Sequence, residues 1–135
     1  MSALTYPYLY KRIDFGRIFN PLVNLSVKAK WGWQPLWFLV DSGADTTMMT
    51  LQLGLKLGLS ANQEQQTSLF GIGKKRLPAY PGKISLKLGE YEIQTRVYFI
   101  KAVESTLLLG RLDIFDRFNI TFNSQTQHVV FQPLV

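Results

Sequence analysis

Trp37-Phe38-Leu39-Val40-Asp41-Ser42-Gly43-Ala44-Asp45-Thr46-Thr47 puts four apolar residues in a row, then a carboxylate, then small residues. The apolar run predicts a strand buried on both faces. Asp41 stands where that strand ends, so its carboxylate starts out in apolar surroundings. A buried carboxylate is costly unless it is paired, hydrogen-bonded or protonated. Ser42 offers a hydroxyl, and Gly43 lets another backbone or a ligand approach closely. This is the local chemistry of a carboxylic acid tuned by its surroundings.

The rest of the composition narrows what such an acid could serve. The chain has 135 residues, which fits one domain, and 47% are apolar, which supplies a core. No run approaches the roughly 18 to 20 apolar residues that a membrane span needs. Met1 to Tyr10 shows no charged segment followed by an apolar one, so no secretory signal is read there. Both absences lead to the expectation of a cytoplasmic protein that engages no membrane. There is no Cys and a single His, His128. Disulfides, thiolate chemistry and multi-histidine metal sites fall away, and Ser-His catalysis is disfavoured. No cofactor or metal is implied. Fifteen basic and nine acidic residues give a net charge of +6. They are dispersed except for Lys74-Lys75-Arg76, and dispersed lysines on strand faces read as solvation, so nucleic acid is not expected as a partner.

Outward from Asp41, the pattern is that of short strands. Val23, Leu25, Val27 and Ala29 alternate with polar residues, which predicts a half-buried strand. Trp31 to Gln34 reads as a turn, Pro35 prevents simple continuation, and Leu36 to Val40 returns toward Asp41. Trp31, Trp33 and Trp37 are expected in the core or in a dimer contact. Thr50 caps a short helix over 51–57 that Gly58 closes, although Gly54 inside it is unfavourable. Phe70-Gly71-Ile72-Gly73 suits a mobile hairpin tip. Ile84, Leu86 and Leu88 mark one strand, and Tyr91 to Ile100 another, with Tyr91, Ile93, Thr95, Val97 and Phe99 on one face. Leu107 to Leu109 is a short buried strand ending at Gly110. Leu112, Phe115 and Phe118 fall at helical spacing, so 111–118 is predicted as a helix. Asn119 to Phe122 and His128 to Phe131 form a closing hairpin. Residues 1–20, rich in aromatics, are expected as an N-terminal extended arm or first strand, with 21–135 as the domain proper. The whole reads as all-β with one or two short helices.

Two stretches together carry a family resemblance. Asp41-Ser42-Gly43-Ala44 after an apolar strand resembles the Asp-Thr/Ser-Gly-Ala signature of retropepsin-like aspartic proteases. Leu107-Leu108-Leu109-Gly110-Arg111 is similar to the second element of that family. The resemblance spans about residues 20 to 131. It implies a retropepsin-like acid-protease β-barrel, a single-domain homodimer and a peptide or protein substrate. It also implies roles for residues. Asp41 is the acid and base, Ser42 braces the two catalytic loops, and Gly43 shows its carbonyl to substrate. Asp45 binds substrate backbone and forms a partly buried ion pair with Arg111. Leu108, Leu109 and Gly110 pack beneath the Asp41 loop. Gly71, Ile72 and Gly73 form the flap over the substrate.

Peptide hydrolysis by carboxylates needs two of them a few Å apart, one ionised to activate water and one protonated to polarise the carbonyl. Such a pair shares one proton. The chain holds one Asp-Ser-Gly, and Asp14, Asp113, Asp116 and the glutamates lack that context. The second carboxylate is therefore expected from a second copy across a two-fold axis. The alternative is a non-catalytic retropepsin-fold module that binds peptides or merely dimerises. A basic nucleic-acid-binding β-domain is the weaker third reading.

Overall fold

The computed structural model describes residues 2–70, 76–102 and 106–134. Strands β1 (Leu4–Pro7), β2 (Leu9–Ile13) and β3 (Gly16–Asn20) precede β4 (Leu22–Ala29) and β5 (Gly32–Val40). β6 (Thr47–Thr50) runs into helix α1 (Leu51–Lys56). There follow β7 (Thr67–Phe70), β8 (Arg76–Leu88), β9 (Tyr91–Ile100), the two-residue β10 (Leu108–Leu109), β11 (Phe118–Asn123) and β12 (His128–Pro133).

The largest sheet has the order β4-β5-β10-β6-β9-β8-β7. β4 pairs also with β8, through Ser26–Lys87 and Val27–Leu86. That second pairing closes the sheet into a barrel and leaves β7 outside the ring. The alternation in β4 explains the closure: Val23, Leu25 and Val27 are fully buried and meet Phe38, Leu86 and Phe99 inside. A second sheet, β1-β12-β11, packs on the barrel where Phe118 meets Tyr91 of β9 edge-on, with ring centres 6.0 Å apart, and aromatic pairs also tie that sheet together. Phe131 meets Tyr6 and Phe118 edge-on, with ring centres 5.5 and 5.8 Å apart. Such pairs add about 1 kcal/mol each beyond their buried area. The residues expected as an extended arm or first strand form three strands: β1 joins this sheet, while β2 and β3, among the described residues, pair only with each other.

Several expectations need correction. β5 is continuous from Gly32 through Pro35 rather than starting at Leu36. Among the described residues β10 reaches β5 only at Leu39 and Val40, which leaves the outer side of β5 unpaired at Pro35, where proline is tolerated. The apolar run before Asp41 is not buried on both faces. Phe38 and Val40 point into the barrel, whereas Leu39 is half-buried and Trp37 is 51% exposed. Trp31 is exposed as well, so neither tryptophan is core. A barrel wall has one inner face, and period two sends alternate residues out.

Helix α1 forms as its caps dictate. Thr50 Oγ1 accepts the Leu53 amide at 3.2 Å, and Gly58 takes a left-handed φ of 73° just past the end. Gly54 has a packing reason inside the helix: a Cβ there would lie 2.5 Å from the Phe99 ring.

The segment 111–118 is not a regular helix but a run of turns. Ile114 and Phe115 donate to the Arg111 carbonyl, and Phe118 donates to that of Ile114. Asp113, with φ at 69°, breaks the helical path. Aspartate tolerates that left-handed backbone better than most residues. Its carboxylate is held in return: Oδ2 accepts the Arg96 backbone amide at 2.8 Å and Nε at 3.0 Å, and Oδ1 accepts Nη2 at 3.0 Å. This fork ties the turns to β9. The Arg96 hydrogen bond pushes the Asp113 carboxyl from its ordinary 3.8 down to about 2. No helix among the described residues is long and apolar enough to cross a membrane.

The Asp113 fork makes a prediction about pH. A carboxyl whose folded pKa is depressed adds stability above its unfolded value and loses it as pH falls through the folded value. Asp113→Asn should therefore melt roughly a few degrees below wild type at pH 6. The gap should close between about pH 4 and pH 2. Thermal unfolding across that range checks it, and a gap of constant size would show that the fork contributes nothing.

Candidate active site

Asp41 lies where β5 leaves the barrel wall, and two backbone hydrogen bonds and one to its side chain define its loop. The Asp41 amide donates to the Leu109 carbonyl at 3.0 Å. Its Oδ1 accepts the Gly43 amide at 2.8 Å, and its own carbonyl accepts the Ala44 amide at 3.2 Å. This tight turn is the one that Asp favours, because its side chain caps the amide two residues on. The carboxylate is half-buried and oriented by that bond. A Cβ on Gly43 would stand 3.2 Å from Asp41 Oδ1, so glycine leaves the carboxylate room. Ser42 is exposed, and its carbonyl accepts from Arg111 Nη1 at 3.0 Å.

β10 anchors the loop from below. It runs parallel to β5 and antiparallel to β6, wedged between them. Leu109 is fully buried. Gly110 then passes so close to β6 that a Cβ would fall 2.3 Å from the Thr46 carbonyl group. Its amide donates to the buried Thr47 Oγ1 at 3.2 Å. The chain crosses the loop once more, as the Arg111 amide donates to the Ala44 carbonyl and the Leu112 amide to that of Asp45.

Leu39, Leu108 and Met48 lie side by side across β5, β10 and β6, and all three are half-buried. They share the face opposite the core and lead up to Asp41, forming an apolar floor beside its carboxylate. Leu39 and Met48 were not singled out from the sequence. Their signal is the strand period once the inner residues Phe38, Val40 and Met49 are known. Thr47 was also missed; a hydroxyl residue opening an apolar strand is a weak hint of a buried hydrogen bond.

Arg111 Nη2 sits 2.5 Å from Asp45 Oδ1. The side chains are 52% and 85% exposed, so the pair is not partly buried as the sequence reading supposed. Water screens both charges, and such pairs contribute under about 1 kcal/mol. Gly71, Ile72 and Gly73, expected as the flap, lie outside the described residues. Among the described residues no three His, Asp or Glu side chains gather as metal ligands.

A profile of the family described as aspartyl protease matches residues 27–111, more than half of the chain. The chain belongs to the aspartyl protease family. Solved structures of similar fold include a retropepsin-like aspartic protease from Rickettsia conorii, with TM-score 0.61 and 15% identity over 96% of this chain and 98% of that one. The retroviral protease-like domain of Ddi1 from Leishmania major gives TM-score 0.59 and 19% identity over 84% and 94%. The EIAV protease, solved with the inhibitor HBY-793, gives 0.53 and 22% over 68% and 82%. At these identities the likeness shows the fold, which is that of the retropepsins. No curated protein matches the sequence.

Two substitutions separate the strong contacts of this aspartyl protease site from the weak ones. Gly110→Ala forces a methyl into the Thr46 backbone and should destabilise the domain by about 3 kcal/mol. Arg111→Ala removes an exposed pair and should lose under about 1 kcal/mol in the single chain. Denaturant unfolding of both variants measures the difference, and equal losses would contradict this ranking.

Proposed function

We propose that this family member is an aspartic endopeptidase that hydrolyses peptide bonds through a water activated by two copies of Asp41. The observation that carries the reading is the Asp41 carboxylate itself. It is half-exposed, aimed by the Gly43 amide, and set at the end of an apolar floor. A carboxylate so placed is open to water and to an extended peptide lying on Leu39, Leu108 and Met48. No cofactor is called for.

One carboxylate does half of the chemistry. The ionised form takes a proton from water as the oxygen attacks the peptide carbonyl. A second, protonated carboxyl gives its proton to the developing oxyanion; on collapse of the resulting diol the first passes the water's proton to the leaving amine and the second takes back a diol proton. The second group comes from a second copy, since Asp41 is the single acid of the sequence in an Asp-Ser-Gly context. Ser42, exposed at the loop tip, lies where the two loops meet in this homodimer. The Gly43 carbonyl and Asp45 bind the substrate backbone, and Gly71, Ile72 and Gly73 cover it. Leu108, Leu109 and Gly110 hold the loop to the barrel.

Asp41→Asn keeps the shape of the side chain and removes the base. Cleavage of a diverse peptide library should fall by about a thousandfold or more, with the fold and dimer unchanged. Activity of the wild type should lie on the acid side of neutrality, because losing the shared proton removes the general acid. Undiminished cleavage by a purified Asp41→Asn protein would end the proposal.

A further inference from the structure

The β2–β3 hairpin is the part of the molecule with the least to do in a single chain. Among the described residues its strands pair only with each other, from Leu9–Asn20 at the root to Ile13–Gly16 at the tip. A two-stranded hairpin is marginal in water unless a face is packed. One face is: Phe19 stacks on Tyr8 at 4.3 Å and leans on Phe122, and Tyr10 Oη donates to Gln127 Oε1 at 2.8 Å. The Arg17 guanidinium lies 3.7 Å over the Tyr10 ring. The other face carries Leu9, Lys11, Ile13 and Ile18, all exposed. Phe15 at the tip is 100% exposed. Five of the ten exposed large apolar side chains among the described residues fall between Leu9 and Ile18.

The root of this hairpin stands beside the catalytic loop. Asn20 leads into Pro21, whose carbonyl accepts the Val40 amide at 2.9 Å, and Val40 precedes Asp41. Leu22 pairs with Leu39. Whatever brings two Asp41 carboxylates within a few Å therefore brings each hairpin root next to the opposite copy. The charges agree. Lys11 is the charged residue of the open face, whereas Arg12 and Arg17 lie with Tyr10 on the packed one, and the catalytic loop presents Asp41 and an 85%-exposed Asp45 side chain.

We propose that the open face of this hairpin docks on a second copy of the chain and forms part of the dimer that completes the active site. The inference rests on reading Asp41 as half of a dyad. Each strand has five residues, so the hairpin face covers about 160 Å². Two such faces with the surfaces they cover come to roughly 640 Å², less than half of a standard interface of about 1,600 Å². The hairpins extend the interface without founding it. Their loss weakens the dimer and does not abolish it.

Ile13→Ser/Ile18→Ser removes the docking face without changing charge, and both side chains are exposed, so the barrel remains folded. Sedimentation equilibrium of the full chain, with Leu55→Ser on α1 as a control for losing an exposed apolar residue, reads the dimer Kd. The hairpin variant should dissociate about tenfold more readily, and Leu55→Ser should match wild type. A wild-type dimer with an unchanged Kd in the hairpin variant overturns the docking and leaves the dyad standing. So does a variant that dimerises normally but no longer cleaves protein substrates, which would place the substrate on this face. A wild type that stays monomeric at concentrations where it cleaves overturns the docking and the dyad together.

Discussion

The Leu109 carbonyl accepts the Asp41 amide at 3.0 Å, and the next residue, Gly110, gives its own amide to the buried Thr47 hydroxyl at 3.2 Å. Those two bonds span one two-residue strand, and the site depends on them. β10 lies between β5, which delivers Asp41, and β6, which leaves the Asp41 loop. The wedge works because Gly110 has no Cβ where the Thr46 backbone passes. A buried hydroxyl that satisfies a buried amide adds about 1 kcal/mol, and leaving either unpaired costs more. The loop above is short, and its backbone bonds to Leu109, Arg111 and Leu112 leave it little freedom.

Charged groups contribute by position rather than by number. The Arg111–Asp45 pair at the Asp41 loop is exposed and adds little in one chain. The Arg96–Asp113 fork, farther from Asp41, has a mostly shielded carboxylate, with only 13% of that side chain exposed. It fixes the turns that follow Gly110 and so backs the wedge from behind. Its three hydrogen bonds converge on one carboxylate, which is the geometry that makes an Arg–Asp contact strong.

Sequence pattern reached some of this and not the rest, for physical reasons. The strand into Asp41, the two elements that meet at Gly110, and the Thr50 cap are local chemistry, so they were legible. The inner face of β9 was legible because period two survives any tertiary context. The turns at 111–118 were read as a helix because Leu112, Phe115 and Phe118 have helical spacing. A left-handed residue at Asp113 and a partner seventeen positions away on β9 leave no trace in that spacing. The hairpin of β2 and β3 was hidden for a different reason. Its outward face is as apolar as its inward one, so no alternation marks it as two strands. That lack of a polar face is also what gives the hairpin a surface to dock.

The central claim is that one chain holds half a site. Wild-type and Asp41→Asn chains, mixed in equal amounts under free exchange, should give half hybrids and one quarter fully wild-type dimers. Hybrid formation is followed by native mass spectrometry, and activity is read per wild-type chain. The account predicts a fall to about half, because half of the wild-type chains then share their site with an asparagine. Undiminished activity per wild-type chain, with hybrids present, would mean that each chain carries a complete site.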